Sequence, residues 1–206
     1  MSFYDTHVLP HLIGFACATP QIMKQRSLVV PAAEGRVLEI GFGSGTNLGF
    51  YDPARVERLF ALEPSLGMRR KAAKAVAGSP LEIEWIDLPG EEIPIEDASV
   101  DTVVLTYTLC TIPGAQAALG EMRRVLKPGG RLLFSEHGRA PDAGVAKWQR
   151  RIEPVWKPIA GGCHLTREPD RLIAGAGFRI DRLDQRYLPK SPKFAAFNTA
   201  GAASLA

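Results

Sequence analysis

The 206 residues are 46% hydrophobic and 23% charged, the balance of one ordinary globular domain and not of a disordered, collagen-like or disulfide-framework chain. Twenty-five basic against 22 acidic residues leave a net charge of +3, too small a bias to indicate a nucleic-acid partner. The charge is unevenly spread: residues 1–100 carry 9 basic and 13 acidic side chains, residues 101–206 carry 16 and 9, a tilt that suits an anionic substrate, peripheral membrane contact or a plain solvated face.

Cys17, Cys110 and Cys163 are odd in number and lack paired spacing, so the expectation is neither a disulfide framework nor a zinc or other metal site, in a reducing compartment. The apolar stretch at 8–18 is broken by Pro10 and His11 and falls short of the ~20 residues of a spanning helix. Neither a signal peptide nor a transmembrane anchor is expected, and the expected location is cytoplasmic.

In chain order, residues 1–35 read as helical pieces broken at Pro10, Pro20 and Pro31, forming an N-terminal cap on the domain 36–206. Residues 37–40 (VLEI) form a buried strand, and GFGSG then opens a helix. Residues 59–62 are a second strand, followed by a charged helix through SLGMRRKAAKAVAG; 81–86 alternate as a third strand. A fourth strand at 101–107 leads to a helix at 114–126 closed by KPGG, and 131–136 form the fifth. A Pro- and Gly-punctuated insert, 138–166, lies over the site, with Trp148 and Trp156 as its anchors. A helix at 168–175, a sixth strand from Phe178 and a seventh near 193–203 complete the chain. Alternating strands and helices call for an α/β fold with a mostly parallel sheet, whose ligands bind beyond the carboxyl ends of the strands.

Gly41, Gly43 and Gly45 leave the first strand where a backbone without Cβ atoms can turn sharply and approach a ligand. Glu63 ends the second strand, where a carboxylate accepts hydrogen bonds from ribose hydroxyls. These features suit a dinucleotide or S-adenosylmethionine. Thr46 stands where the dinucleotide fingerprint needs its third glycine, and Glu39 would repel a pyrophosphate yet attract a sulfonium or amino group, which favours S-adenosylmethionine.

VLEIGFGSGTNL, ALEPS, IPIEDASVDTVVLTYTL and ALGEMRRVLKPGGRLLFSEHG resemble the motifs of the class I S-adenosylmethionine-dependent methyltransferases, over nearly the whole chain. Within them the chain resembles the methyltransferase type 11 group. GFGSGTNLGFYDP, LTYTLCTI and WQRRIEPVWKPIAGGCHLTR are similar to segments of the methyltransferase-like thiol methyltransferases, which carry an amino-terminal membrane anchor not expected here. The resemblance implies a Rossmann-like, seven-stranded mostly parallel sheet with helices on both faces. It further implies that Gly41, Gly43, Gly45 and Asn47 surround the methionine end, that Glu63 and Pro64 meet the ribose, and that Gly90, Glu91 and Met68 meet the adenine. The Thr106 carbonyl would take the methionine ammonium, and Tyr4 and Arg26 its carboxylate.

The implied activity is methyl transfer to a small acceptor, a thiol in first place. A quinone-like or lipid carbon or oxygen acceptor, or a non-catalytic S-adenosylmethionine-binding protein, are the alternatives. Candidates for the acceptor side are Cys110, Glu136 with His137, and Cys163 with His164; Glu136, His137 and His164 are the candidate catalytic residues, because histidine titrates near neutral pH and the fifth strand ends there.

Overall fold

The computed structural model describes residue 14 and residues 17–206. Tyr4, and with it half of the expected carboxylate pair, lies outside the described residues. Helix α1 (Pro20–Val29) begins with proline at its first position, where the missing N–H costs nothing, and runs through a short 3-10 turn into β1 (Gly35–Ile40). Strand β2 (Val56–Leu62), helix α2 (Leu66–Ala77), β3 (Ile83–Ile86), β4 (Val100–Thr106), α3 (Ala115–Val125) and β5 (Leu126–His137) follow. Then come α4 (Ala143–Ile159), α5 (Pro169–Gly175), β6 (Phe178–Tyr187), the short α6 (Lys193–Ala196) and β7 (Phe197–Leu205).

The seven strands are ordered β3-β2-β1-β4-β5-β7-β6. Pairs up to β5 are parallel, and β7 runs antiparallel between β5 and β6. Strand order reverses between β1 and β4, so the crevice lies beyond Ile40 and Thr106. Two apolar layers cover the faces. Helix α3 presents Ala118, Leu119, Met122 and Val125, spaced for one helical stripe, to Leu38, Val103, Leu105 and Phe134 on one face. On the other, Val29 and Val30 at the end of α1 and Ala72 of α2 pack on Val37, Leu59, Val104 and Leu133.

Three expectations change. GFGSG does not open a helix: residues 41–47 form turns leading to a 3-10 turn at Leu48–Phe50. Asn47 and Tyr51 instead turn their side chains inward to Glu39, a demand that a regular helix would not meet. KPGG does not separate α3 from β5, because the strand starts at Leu126 and runs through it. The insert at 138–166 is chiefly the 17-residue helix α4, despite Pro154 and Pro158 inside it. Its buried Gln149 compensates: the side-chain oxygen accepts from Ala140 N (2.9 Å), and the amide nitrogen donates to Gly138 O (3.0 Å) and Phe194 O (2.8 Å). Trp156 meets Phe194 edge-on at 5.6 Å, whereas Trp148 is 53% exposed.

Gly201 pairs with Leu183 just past the irregular step in the β6–β7 ladder, and a Cβ on it would overlap the Arg182 carbonyl oxygen. Gly201→Ala is therefore expected to cost about 1–3 kcal/mol of stability, read as a lower urea midpoint at an unchanged m-value.

Candidate active site

A cleft of about 320 Å³ opens at the switch point. Its first wall is the loop leaving β1. Gly41 N and Phe42 N both donate to Leu62 O at 3.0 Å, pinning the loop to the end of β2. Gly41 sits at φ +69°, a region costly for other residues, and a Cβ there would overlap the Thr108 side chain. Glu63 fastens the same loop: its Oε2 accepts from Gly43 N (2.8 Å) and its Oε1 from Ser65 N (2.9 Å), the residue that caps α2. Burial raises the Glu63 pKa, opposed by these two amides. Each carboxylate oxygen keeps a further lone pair for a donor in the cleft.

Behind the loop lies a buried polar knot. Glu39 Oε1 accepts from Asn47 Nδ2 (2.9 Å) and Oε2 from Tyr51 OH (2.7 Å). Asn47 also donates to Thr106 Oγ1 (3.0 Å). Arg26, from α1, donates from Nη1 to Asn47 Oδ1 (2.9 Å) and Thr106 Oγ1 (2.6 Å), and its guanidinium lies 5.1 Å from the centre of the Tyr107 ring. Arg26 is 5% exposed, and its buried Nε has no partner among the described residues. Burial pushes the Glu39 carboxyl up to about 7 against the pull of Tyr51, Arg26 and Asn47.

Of the sequence-predicted cofactor residues, Arg26, Gly41, Gly43, Glu63, Pro64, Met68, Gly90, Glu91 and Thr106 face the cleft. Glu39 and Asn47 do not; they brace its floor from below. Gly45 also faces away, packed against Leu48, Phe42 and Ala75, so its place is set by the core. At the far end Gly90 and Pro89 lie with Ile112 and Pro113 in an apolar slot, while Glu91 Oε1 accepts from Gly114 N (2.8 Å).

None of the three expected catalytic residues lines the cleft among the described residues. Glu136 is fully buried; Oε1 accepts from Thr108 N (2.8 Å) and Leu109 N (3.1 Å), and Oε2 has no partner among the described residues. Burial lifts its carboxyl to about 7. His137 Nε2 lies 3.1 Å from Cys163 Sγ, and its Nδ1 is buried without a partner among the described residues. His164 Nδ1 is 3.2 Å from Glu153 Oε1, and Glu153 also accepts from Thr166, so this histidine secures the loop after α4. Side chains missed in the sequence include Tyr107, Thr108 and Cys17, all on the cleft wall. Tyr107 was findable, since it is the first residue after β4, where the sheet rule places ligands.

Three possible metal-ligand side chains, unpaired in the linear spacing, meet in the fold. Cys110, His137 and Cys163 come together with their donor atoms all within 4.8 Å of one another. The loop after β4, the end of β5 and the loop after α4 converge there, which linear spacing does not disclose. A hydrogen bond from the Cys110 thiol and the nearby His137 ring hold the Cys163 pKa well below that of a free thiol, while the Cys110 thiol is raised.

A mostly parallel sheet with one antiparallel strand, β7, inserted between β5 and β6, a pinned glycine loop after β1 and an acid after β2 define a nucleoside-binding, Rossmann-like methyltransferase fold. The methyltransferase domain model matches residues 38–134. Thiol S-methyltransferase TMT1B of Rattus norvegicus is 38% identical over 168 residues, covering 77% of this chain and 68% of the relative. Thiol S-methyltransferase TMT1A of Homo sapiens is 33% identical over 165 residues, covering 78% and 67%. A solved S-adenosylmethionine-dependent methyltransferase of Thermotoga maritima, described as a possible histamine N-methyltransferase, superposes with a TM-score of 0.66 at 20% identity, over 98% of this chain and 97% of that one. The chain belongs to the S-adenosylmethionine-dependent methyltransferases; it is an enzyme, and S-adenosyl-L-methionine is its cofactor. The cleft fits that group: the backbone of Gly41 and Gly43 lines it, and Arg26 Nε is a buried donor without a partner among the described residues. No helix among the described residues is long and apolar enough to cross a membrane.

The Glu39 carboxyl titrates at about 7 in the folded chain against 4.5 when free, so the folded state binds the extra proton between these values. Its contribution to stability is complete below pH 4.5 and is lost as pH rises through about 7. Glu39→Gln, which keeps both neighbours in reach, is expected to flatten the fall of unfolding free energy across that window, measured by urea titrations at a series of pH values.

Proposed function

We propose that the enzyme methylates a small, apolar thiol in a cytoplasmic setting. The observation that carries this reading is the absence, among the described residues, of a general base on the methyl-accepting side of the cleft. Glu63 and Glu91 belong to the nucleoside half, and Cys17 and Tyr107 are left for the acceptor side. An alcohol needs such a base; a thiol, with a pKa of ~8.5, is partly ionised near neutrality without one. The relatives named as thiol S-methyltransferases, matched over two thirds of their length, support the same acceptor, and the three free cysteines suit a reducing compartment.

In this reading Gly41 and Gly43 lie against the methionine portion, Arg26 takes its carboxylate and the Thr106 carbonyl its ammonium. Glu63 accepts from the ribose hydroxyls, with Pro64 beside it. Gly90, Glu91 and Met68 enclose the adenine; the Met68 Cε lies 3.4 Å from where a Cβ on Gly43 would be, so it closes over the loop. When bound, the cofactor supplies a methyl on a sulfonium that leaves as a neutral thioether, so the protein needs no acid for the leaving group. The chain's contribution is alignment, and a near-attack pose supplies ~7–11 kcal/mol of the barrier reduction. Glu39 and Asn47 act through Arg26 and Thr106 by holding both in place.

Glu63→Ala is expected to weaken S-adenosylmethionine binding by ~1.5–3 kcal/mol in calorimetry; an unchanged dissociation constant would remove the ribose role. In a panel of thiols, phenols and quinols followed by S-adenosylhomocysteine release, turnover is expected on the thiols. Turnover confined to phenols or quinols would contradict the acceptor assignment, and binding without turnover on any would favour a sensor.

A further inference from the structure

The cluster behind the cleft is not used by the reading above. Cys110 lies just past β4, His137 closes β5 and Cys163 sits in the turn that follows α4, so all three gather at the carboxyl edge of adjacent parallel strands, where ligands bind. The backbone holds them there: His164 N donates to Cys110 O (2.9 Å), Cys163 N to Ala160 O (3.2 Å), and Arg167 Nη1 to Leu109 O and Ile112 O. Gly161, two residues before Cys163, and Thr111, next to Cys110, both line the cleft, so the cluster borders it. Beside it, His137 Nδ1 and Glu136 Oε2 are buried without partners among the described residues, which leaves the polar network incomplete as protein alone.

We propose that Cys110, His137 and Cys163 bind one zinc ion whose fourth position takes the sulfur of the acceptor; the second half of this rests on the thiol reading. Two sulfurs and an imidazole nitrogen are the donors that zinc selects, and three protein ligands with one open position is the pattern of catalytic sites. Tetrahedral zinc, with bonds of about 2.3 Å to sulfur and 2.0 Å to nitrogen, separates its donors by about 3.5–3.8 Å. The present separations, 3.1 Å for Cys163 to His137 and none above 4.8 Å, need only small side-chain adjustments. Two thiolates neutralise the ion's charge, which allows the site to be buried. Cys17 is not among the clustered donors and stays on the cleft wall.

The step balances. The acceptor thiol gives its proton to water as its sulfur joins zinc. That sulfur then forms a bond to the methyl carbon while the sulfonium–methyl bond breaks and its electron pair stays on the departing thioether. The methylated acceptor, now neutral, is a poorer zinc ligand and leaves.

The test uses the full chain, reduced, stripped with a chelator and loaded with cobalt(II) as the probe. One cobalt per chain with sulfur-to-cobalt charge-transfer bands is expected, displaced by one equivalent of zinc. The bands should vanish in Cys110→Ser and Cys163→Ser, each checked for folding by circular dichroism, and persist in Cys17→Ser. With S-adenosylhomocysteine present, a small thiol should shift the visible cobalt bands and a phenol should not. No cobalt binding, bands that survive in Cys163→Ser, or a Cys110–Cys163 disulfide in freshly isolated protein would overturn the site. Cobalt bands indifferent to thiols, or full thiol turnover by the chelated enzyme, would overturn its acceptor role while leaving the thiol reading intact. Cobalt bands in an enzyme that methylates no thiol would instead sink that reading and keep the metal.

Discussion

The Glu39 carboxylate is an acid inside a strand that is otherwise core, and a buried carboxylate is tolerated only when its oxygens are satisfied. Asn47 and Tyr51 satisfy them, and both belong to the segment between β1 and β2. That segment therefore folds back over its own strand as turns, which keeps the glycine loop open toward the crevice. Asn47 in turn binds Arg26 and Thr106, so one buried network joins the cap helix, the loop and the end of β4. The walls of the cleft thus depend on a side chain that does not line it.

Glu63 has two attachments of the same kind. By accepting from Gly43 and Ser65 it ties the glycine loop to the start of α2, and by its remaining lone pairs it is open to the cleft. Preorganisation of this sort lowers the cost of ordering the loop when a ligand enters. The acceptor half is built differently, from side chains brought in by the insert and by the ends of β4 and β5. Gln149 is central to that half, because its three hydrogen bonds seat α4 on the strand ends despite two prolines that weaken the helix.

Residue order alone determined the alternation of strands and helices, the glycine turn and the acid at the end of β2, because each is a local pattern: buried runs of period two or near-continuous apolarity, helical stripes, and a loop that only glycine permits. The same local logic misplaced the helix after GFGSG, since the demand that bends residues 41–51 inward comes from Glu39 across the core and not from neighbours in the chain. Tertiary structure alone decided that Gly45 packs inward while Gly41 and Gly43 face the cleft, that Glu136 is enclosed, and that His164 answers to Glu153. It also brought Cys110, His137 and Cys163 to one place from three segments far apart in sequence. Such convergence is set by which strands become neighbours and how loops cross their ends, and no spacing along a single chain encodes that.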